Sequence, residues 1–232
     1  MMQKILAAEG RRVCSIPVTR QAPSESNTTY GSRLADSLKA SGARIAWVCV
    51  PPGVHVPRLI KAALDAGLHV VAEKPWLSSR AEGELLLKLA HARNLLVAMH
   101  YQYCFLEGVE KWRSELDGGS GFRFAGHFVL SRADHLGISA LDNLGCHLLA
   151  IRRYATPRAE VSEIRCAYEQ PDERNVWVES HGARISCIDF LRSPEPLIQR
   201  FVAKFEAALK NGDFPLDLEF ALDVAEDVRT VE

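Results

Sequence analysis

Residues 43–76 read ARIAWVCVPPGVHVPRLIKAALDAGLHVVAEKPW, and the fold of the first part of the chain turns on this stretch. "RIAWVCV" (44–50) and "HVVA" (69–72) are short, unbroken apolar runs, the pattern of strands buried on both faces of a parallel sheet. Between them Val56, Leu59, Ile60, Ala63 and Leu64 recur at helical spacing, and Gly67 supplies the stop. Working outward, "RAEGELLLKLAHAR" (80–93) repeats the helical pattern and "LLVAM" (95–99) the apolar run. Strand–helix–strand–helix–strand with connections this short predicts right-handed βαβ crossovers and a doubly wound sheet. Ligands of such sheets bind beyond the carboxyl ends of the strands. "VCVPPGVH" and "AEKPW" both sit at such ends.

After residue 104 the rhythm changes. "CFLEGVEKWRSEL" (104–116) and "ISALDNLGCHLLAIRRY" (138–154) read as helices, and "GFRFAGHFVLSR" (121–132) reads as a long strand. "VSEIRCAYE", "NVWVE" and "ARISCIDFL" read as further strands, and helices over 194–210 and 217–228 close the chain. These strands follow one another without crossover helices, which predicts a mainly antiparallel sheet in an α+β domain. The expected division is therefore 1–103, a Rossmann-like α/β domain, and 104–232, an α+β domain for substrate and oligomerisation. Segment 17–31, "PVTRQAPSESNTTYG", is the most loop-like part of the chain.

The totals exclude several classes. The chain has 232 residues, 47% hydrophobic and 25% charged, with net charge −1. Those proportions suit a globular protein and give no pull toward nucleic acid or an anionic membrane. No apolar run approaches the roughly 18 residues of a membrane span, and "MMQKILAAEGRRVC" is too short and polar for a signal peptide. Six scattered cysteines with no CxxC pair read as reduced thiols in the cytosol, neither a disulfide framework nor a zinc site. The histidines show no metal-ligand spacing, and GxSxG, HExxH and Walker sequences are absent.

Residues 43–76 as a whole, a strand, a Pro-containing turn with a His, a helix ending in Ala-Gly and a strand ending in Glu-Lys-Pro, resemble the Gfo/Idh/MocA oxidoreductases, the family of glucose–fructose oxidoreductase and inositol dehydrogenase. "LDNLGCHLLAI" (141–151) resembles the family's second motif, an Asp or Asn, a Gly and a His on one helix. The resemblance implies an NAD- or NADP-dependent enzyme that moves a hydride to or from a sugar, polyol or related hydroxy or keto compound. It places Lys74 beside the nicotinamide and the reacting carbon, where an ammonium stabilises charge developing on the substrate oxygen. Pro75 would fix the turn that aims it. By the same resemblance Pro51, Pro52, His55, Glu73, Lys74 and Pro75 lie along the cofactor. His147 would exchange the proton, a role suited to an imidazole, and Asn143 would bind a hydroxyl. Asn143 and His147 share one helical face at i,i+4. Asp142, at i,i+5 from His147, lies roughly 140° away round a regular helix, so the two cannot both face one ligand there; the resemblance still offers Asp142 as a substrate contact. His135, beside Asp134 in "RADHLG", is a further substrate-contact candidate on composition alone.

One part of the pattern is missing. A dinucleotide fold begins strand–GxGxxG–helix, because backbone N–H groups at that helix start hold the pyrophosphate. Before residue 53 the chain has only Gly10, Gly31 and Gly42. One arrangement makes "QKILAAEG" the tail of the first helix and "RRVCSIPVTR" the second strand, with the first strand and its glycine loop upstream of Met1. Arg20 then ends the second strand, where an Arg can accept the 2′-phosphate of NADP. Another lets "RRVCSI" take the first-strand place, with Ser/Thr/Asn-rich 24–29 as a substitute phosphate loop. The rival function is a catalytically degenerate family member that binds a ligand or another subunit. A homodimer or higher homo-oligomer is expected, formed through one face of the 121–132 strand.

Overall fold

The structure, a computed structural model, describes residues 7, 10–16, 25–131, 137–193 and 195–231. It divides into two compact units. The first comprises Met1–His100 and Val202–Glu219, the second Tyr101–Phe201 and Phe220–Glu232. The sequence reading divides the chain once, at 103/104. The units instead make the chain leave the first body after residue 100 and return to it late.

In the first unit, helix α1 (Asn27–Ala40) precedes strand β1 (Ile45–Val48), helix α2 (Val56–Asp65), strand β2 (His69–Ala72), helix α3 (Arg80–Ala92) and strand β3 (Val97–Met99). The strands pair in parallel in the order β1-β2-β3, with Trp47 opposite Val71 and Ala72 opposite Met99. Val70, Val71, Ala72, Val97 and Met99 are buried, as continuous apolar runs require. The α2 stop is built as the sequence suggests. Gly67 takes a left-handed φ of 79°, Leu68 N–H donates to the Ala63 carbonyl and Gly67 N–H to that of Leu64. Helix α3 starts on a Ser79 cap whose Oγ accepts from Glu82 N at 3.2 Å. The returning segment covers the β3 edge: Ala98 bridges Asp217 and Met99 N–H donates to the Leu216 carbonyl.

Three expectations for this unit are corrected. Residues 27–31 are the first turn of α1, not loop, because Ser26 caps the helix through Thr29 N (3.1 Å). Residues 27–29, offered as part of a substitute phosphate loop, therefore belong to a helix start, and residues 17–24 lie outside the described residues. Residues 11–16 form no strand in either proposed place. They pair with no described strand, and Arg11 is tied to Glu206 by two hydrogen bonds of 2.9 Å. "QKILAAEG" lies mostly outside the described residues. Among those described, the strands succeed one another in a single direction, without the reversal of order that a doubly wound sheet has. Helices α1, α2 and α3 pack side by side.

The second unit holds helix α4 (Glu107–Glu115), strand β4 (Arg123–Val129), helix α5 (Cys146–Ala155) and strands β5 (Glu160–Ala167), β6 (Glu173–Ser180) and β7 (Ala183–Asp189). Helices α6 (Leu197–Asn211) and α7 (Leu218–Val231) close the chain, each with residues in both units. The sheet order is β5-β4-β6-β7. The β4–β6 and β6–β7 pairs are antiparallel, but β4 and β5 are parallel. The expectation of no crossover helix fails there, since parallel neighbours need a long connection and α5 lies within it. Gly126 of β4 shows how closely strand and helix approach: a Cβ on it would stand 2.9 Å from Leu148 of α5. On that side Phe124, Phe128, Leu148 and Val176 are buried together with Leu144 and Ile151.

Candidate functional site

The carboxyl ends of all three parallel strands carry polar side chains, and in this unit they meet. Trp47 belongs to β1, Glu73 follows β2 and His100 follows β3. One carboxylate oxygen, Glu73 Oε1, accepts from Trp47 Nε1 at 3.1 Å and lies 3.1 Å from His100 Nδ1. The Trp47 and His100 rings pack edge to face at 4.9 Å. Burial pushes the Glu73 carboxyl upward, yet the His100 contact, the Trp47 bond and the charge of Lys74 outweigh it, so it sits below the usual carboxylate range. Cys49, at the end of the same run as Trp47, has its thiol pushed up to about 11 by burial and by the charge of Glu73.

Lys74 follows directly and is half-buried, while Pro75 and Trp76 are buried; the Lys74–Pro75 bond is cis. Trp76 anchors the turn by donating to the Ser79 carbonyl at 3.3 Å. In the loop after β1, Pro51, Val54 and His55 are exposed and Pro52 is half-buried. His55 stands at the start of α2 without a side-chain cap bond. Its ring folds over Gly53, where a Cβ would stand 3.1 Å from His55 Cε1. Sequence reasoning missed Trp47 and His100. Each is a single residue whose partner lies two or more elements away, so no local spacing marks it.

In the second unit, the "LDNLGCH" motif does not form a regular helix. Residues Leu141–Gly145 make a π turn that runs into α5. The 140° separation of Asp142 and His147 assumes α geometry and does not hold through that turn. Separate neighbours engage the three polar residues. Asp142 Oδ2 accepts from Ser139 Oγ at 2.8 Å, and its N–H donates back to that hydroxyl, so Asp142 serves the helix start. Asn143 Nδ2 donates to the Tyr168 hydroxyl at 2.9 Å. His147 is buried among aromatic rings, Tyr103 at 4.8 Å, Phe128 at 5.6 Å and Tyr101 at 6.2 Å between centroids. Gly145 is explained by packing: a Cβ there would stand 2.6 Å from Leu141 Cδ1 and 3.3 Å from Cys166 Sγ. Arg20, Asp134 and His135 lie outside the described residues.

The described residues contain no cluster of His, Cys, Asp and Glu able to hold a metal ion. All six cysteines are free. No described helix is long and apolar enough to cross a membrane. For a dinucleotide, the first unit fits at one end. The strand-end loops present an ammonium, an imidazole and a carboxylate, the donors and acceptors a nicotinamide riboside needs. At the pyrophosphate end, Gly31 is inside α1, and Gly10 and Gly42 occupy isolated turns, so no glycine loop opens a helix among the described residues.

Comparisons with known proteins agree with this frame. Residues 7–101 match the model of the Gfo/Idh/MocA oxidoreductase family, described as an NAD-binding Rossmann fold. An uncharacterized oxidoreductase of Schizosaccharomyces pombe is 26% identical over 186 residues, 72% of this chain and 49% of its own length. The chain thus spans about half of that relative. Among solved structures, UDP-N-acetylglucosamine 3-dehydrogenase GnnA of Acidithiobacillus ferrooxidans superposes with a TM-score of 0.72 at 14% identity, covering 84% of this chain and 79% of that one. An inositol dehydrogenase homolog of Azotobacter vinelandii, complexed with NADH and myo-inositol, gives 0.64 at 17% identity, covering 88% and 78%. At these identities the structures establish a shared fold. The strand-end Glu73-Lys74-Pro75 turn falls within the match over residues 7–101, and this part of the chain is similar to the Gfo/Idh/MocA oxidoreductases.

Proposed function

We propose that the chain acts as an NAD- or NADP-dependent oxidoreductase on a sugar-like hydroxy or keto compound. The observation that supports this most directly is the strand-end cluster, in which an ionised Glu73, held by Trp47 and His100, immediately precedes Lys74. A bound nicotinamide cofactor supplies or accepts the hydride. Pro51, Pro52, His55, Glu73, Lys74 and Pro75 would line it. Lys74 holds the substrate oxygen and stabilises the negative charge that builds there. In the second unit, His147 would give or take the hydroxyl proton, and Asn143, fixed by Tyr168, would orient a substrate hydroxyl. The aromatic rings round His147 exclude water from that imidazole.

The other domain roles follow: residues 1–103 bind the dinucleotide, and residues 104–232 bind substrate and carry the contacts between subunits. The test is nuclear magnetic resonance with NADH or NADPH added to millimolar concentration. Resonances of Cys49–His55, Glu73–Trp76 and His100 should move together and saturate. Changes confined to other parts of the chain, or none, would reject the assignment.

A further inference from the structure

We infer that His100 is a positioning residue for the Lys74 turn, acting through Glu73 to set the direction in which Lys74 is presented at the strand ends. The inference deepens the proposed function and rests on it only for the effect on turnover. Its basis is the way one carboxylate oxygen joins three strand ends. The backbone on each side is already fixed by the sheet: Glu73 N–H donates to the Val48 carbonyl at 3.2 Å and His100 N–H to that of Ala72 at 2.9 Å. The two side chains therefore meet from anchored positions. The His100 side chain is only 6% exposed, and its ring is wedged by the Trp47 edge.

An ionised carboxylate can only accept, so His100 Nδ1 carries the hydrogen it shares with Glu73. The groups that act on Glu73 are Trp47 from β1, Cys49 after β1, His100 after β3 and Lys74 in its own turn. Cys49, a neutral thiol at pH 7, brings no competing charge. Burial is the largest influence on Glu73 and opposes its charge; His100 is the largest one that favours it. Without His100, the carboxylate protonates more readily or turns toward water. Either change frees the Glu73 side chain from its neighbouring strands, and the turn beyond the sheet that carries Lys74 loses that tie.

The test labels lysine amines by reductive methylation with ¹³C-formaldehyde and assigns the Lys74 signal by its loss in Lys74→Arg. In His100→Phe, which cannot donate, the Lys74 signal should shift and broaden, and the acid titration midpoint of ¹³C-labelled Glu73 should move upward. His100→Gln, which keeps a donor, should restore both. His91→Phe, at an exposed position of α3, should change neither. Should His100→Phe fail to fold, Glu73→Ala carries the test, since it removes the oxygen that His100 and Trp47 share and should displace the Lys74 signal with His100 intact. An unmoved Lys74 signal in folded Glu73→Ala or His100→Phe overturns the inference. In preparations that turn over, His100→Phe should lower kcat by up to ~10² with cofactor affinity unchanged. A displaced Lys74 signal with full turnover would uphold the positioning role and sink the catalytic reading of Lys74. Lowered turnover with an unmoved Lys74 would sink the positioning role alone.

Discussion

Lys74 carries the sharpest expectation of any single residue. In the proposed reaction its ammonium would act on the substrate oxygen, where charge grows toward the transition state, so Lys74→Ala should lower turnover by ~10²–10³ and leave cofactor affinity nearly unchanged. Lys74→Arg should not restore full rate, because a planar guanidinium does not occupy the place of a compact ammonium. Steady-state kinetics beside a cofactor titration checks both. A mutant that melts several degrees lower and keeps full activity would make Lys74 a structural turn residue. Glu73 adds a pH signature. Its folded pKa is depressed, so it contributes stability above its unfolded value, and that contribution is lost as pH falls through the folded value. Urea unfolding of Glu73→Gln should therefore show a shallower loss of stability on the acid side than wild type. Identical slopes would mean that His100 and Trp47 give the carboxylate no preference for its charged form.

At the scale of elements, two close fits make quantitative predictions. Gly126→Ala drives a Cβ to 2.9 Å from Leu148, and β4 cannot yield without parting from β5 and β6, so the cost should be about 1–3 kcal/mol in urea unfolding. Ser79→Ala removes the α3 cap and should cost about 1 kcal/mol. A neutral result at either position would show that the neighbouring element gives way. How much of these elements the sequence revealed follows from where their determinants lie. Strands β2 and β3 were legible because both of their faces are buried, and β1, only half-buried, because its run is still unbroken and apolar. Helix α2 was legible because its apolar face and the Gly67 stop are local. Helix α1 was not, since Ala35 is its only buried residue and its cap is one serine among several polar neighbours. The parallel β4–β5 pair was not legible because pairing joins residues tens of positions apart and leaves no local mark. In the site, the Glu73-Lys74-Pro75 turn could be found from its own sequence. His100 and Trp47 could not, because the contact that defines them exists only after three strands align.

At the scale of the whole molecule, the first question is association. The Phe124, Gly126 and Phe128 face of β4 is taken up by α5, which leaves the face of Arg123 and His127 for a partner. Its side chains form a charged lattice: His127 meets Glu163 at 2.9 Å and Glu173 at 3.1 Å, and Arg184 stacks 3.9 Å over Trp177. Arg123, Glu163 and Arg165 are about half exposed. A homodimer through this face would be held largely by polar contacts and should loosen as salt rises. Light scattering at micromolar concentration, repeated across a salt series, should show a dimer giving way to monomer; a monomer at low salt would count against it. The second question is the cofactor. A dinucleotide draws much of its affinity from backbone N–H groups at a helix start that a glycine loop lets it approach. In the 232-residue chain the glycines before residue 53 form no such loop: Gly31 is inside α1, and Gly10 and Gly42 stand alone. The strand-end residues that would meet the nicotinamide supply only the other end of the contact. NADH and NADPH should therefore bind this chain with a dissociation constant well above the low micromolar range. Joining a strand and a GxGxxG loop ahead of it should tighten binding of both cofactors while leaving the response of Lys74 and His100 resonances the same. A low-micromolar constant for the chain as it stands, read from the rise in nicotinamide fluorescence, would show that some other group holds the pyrophosphate.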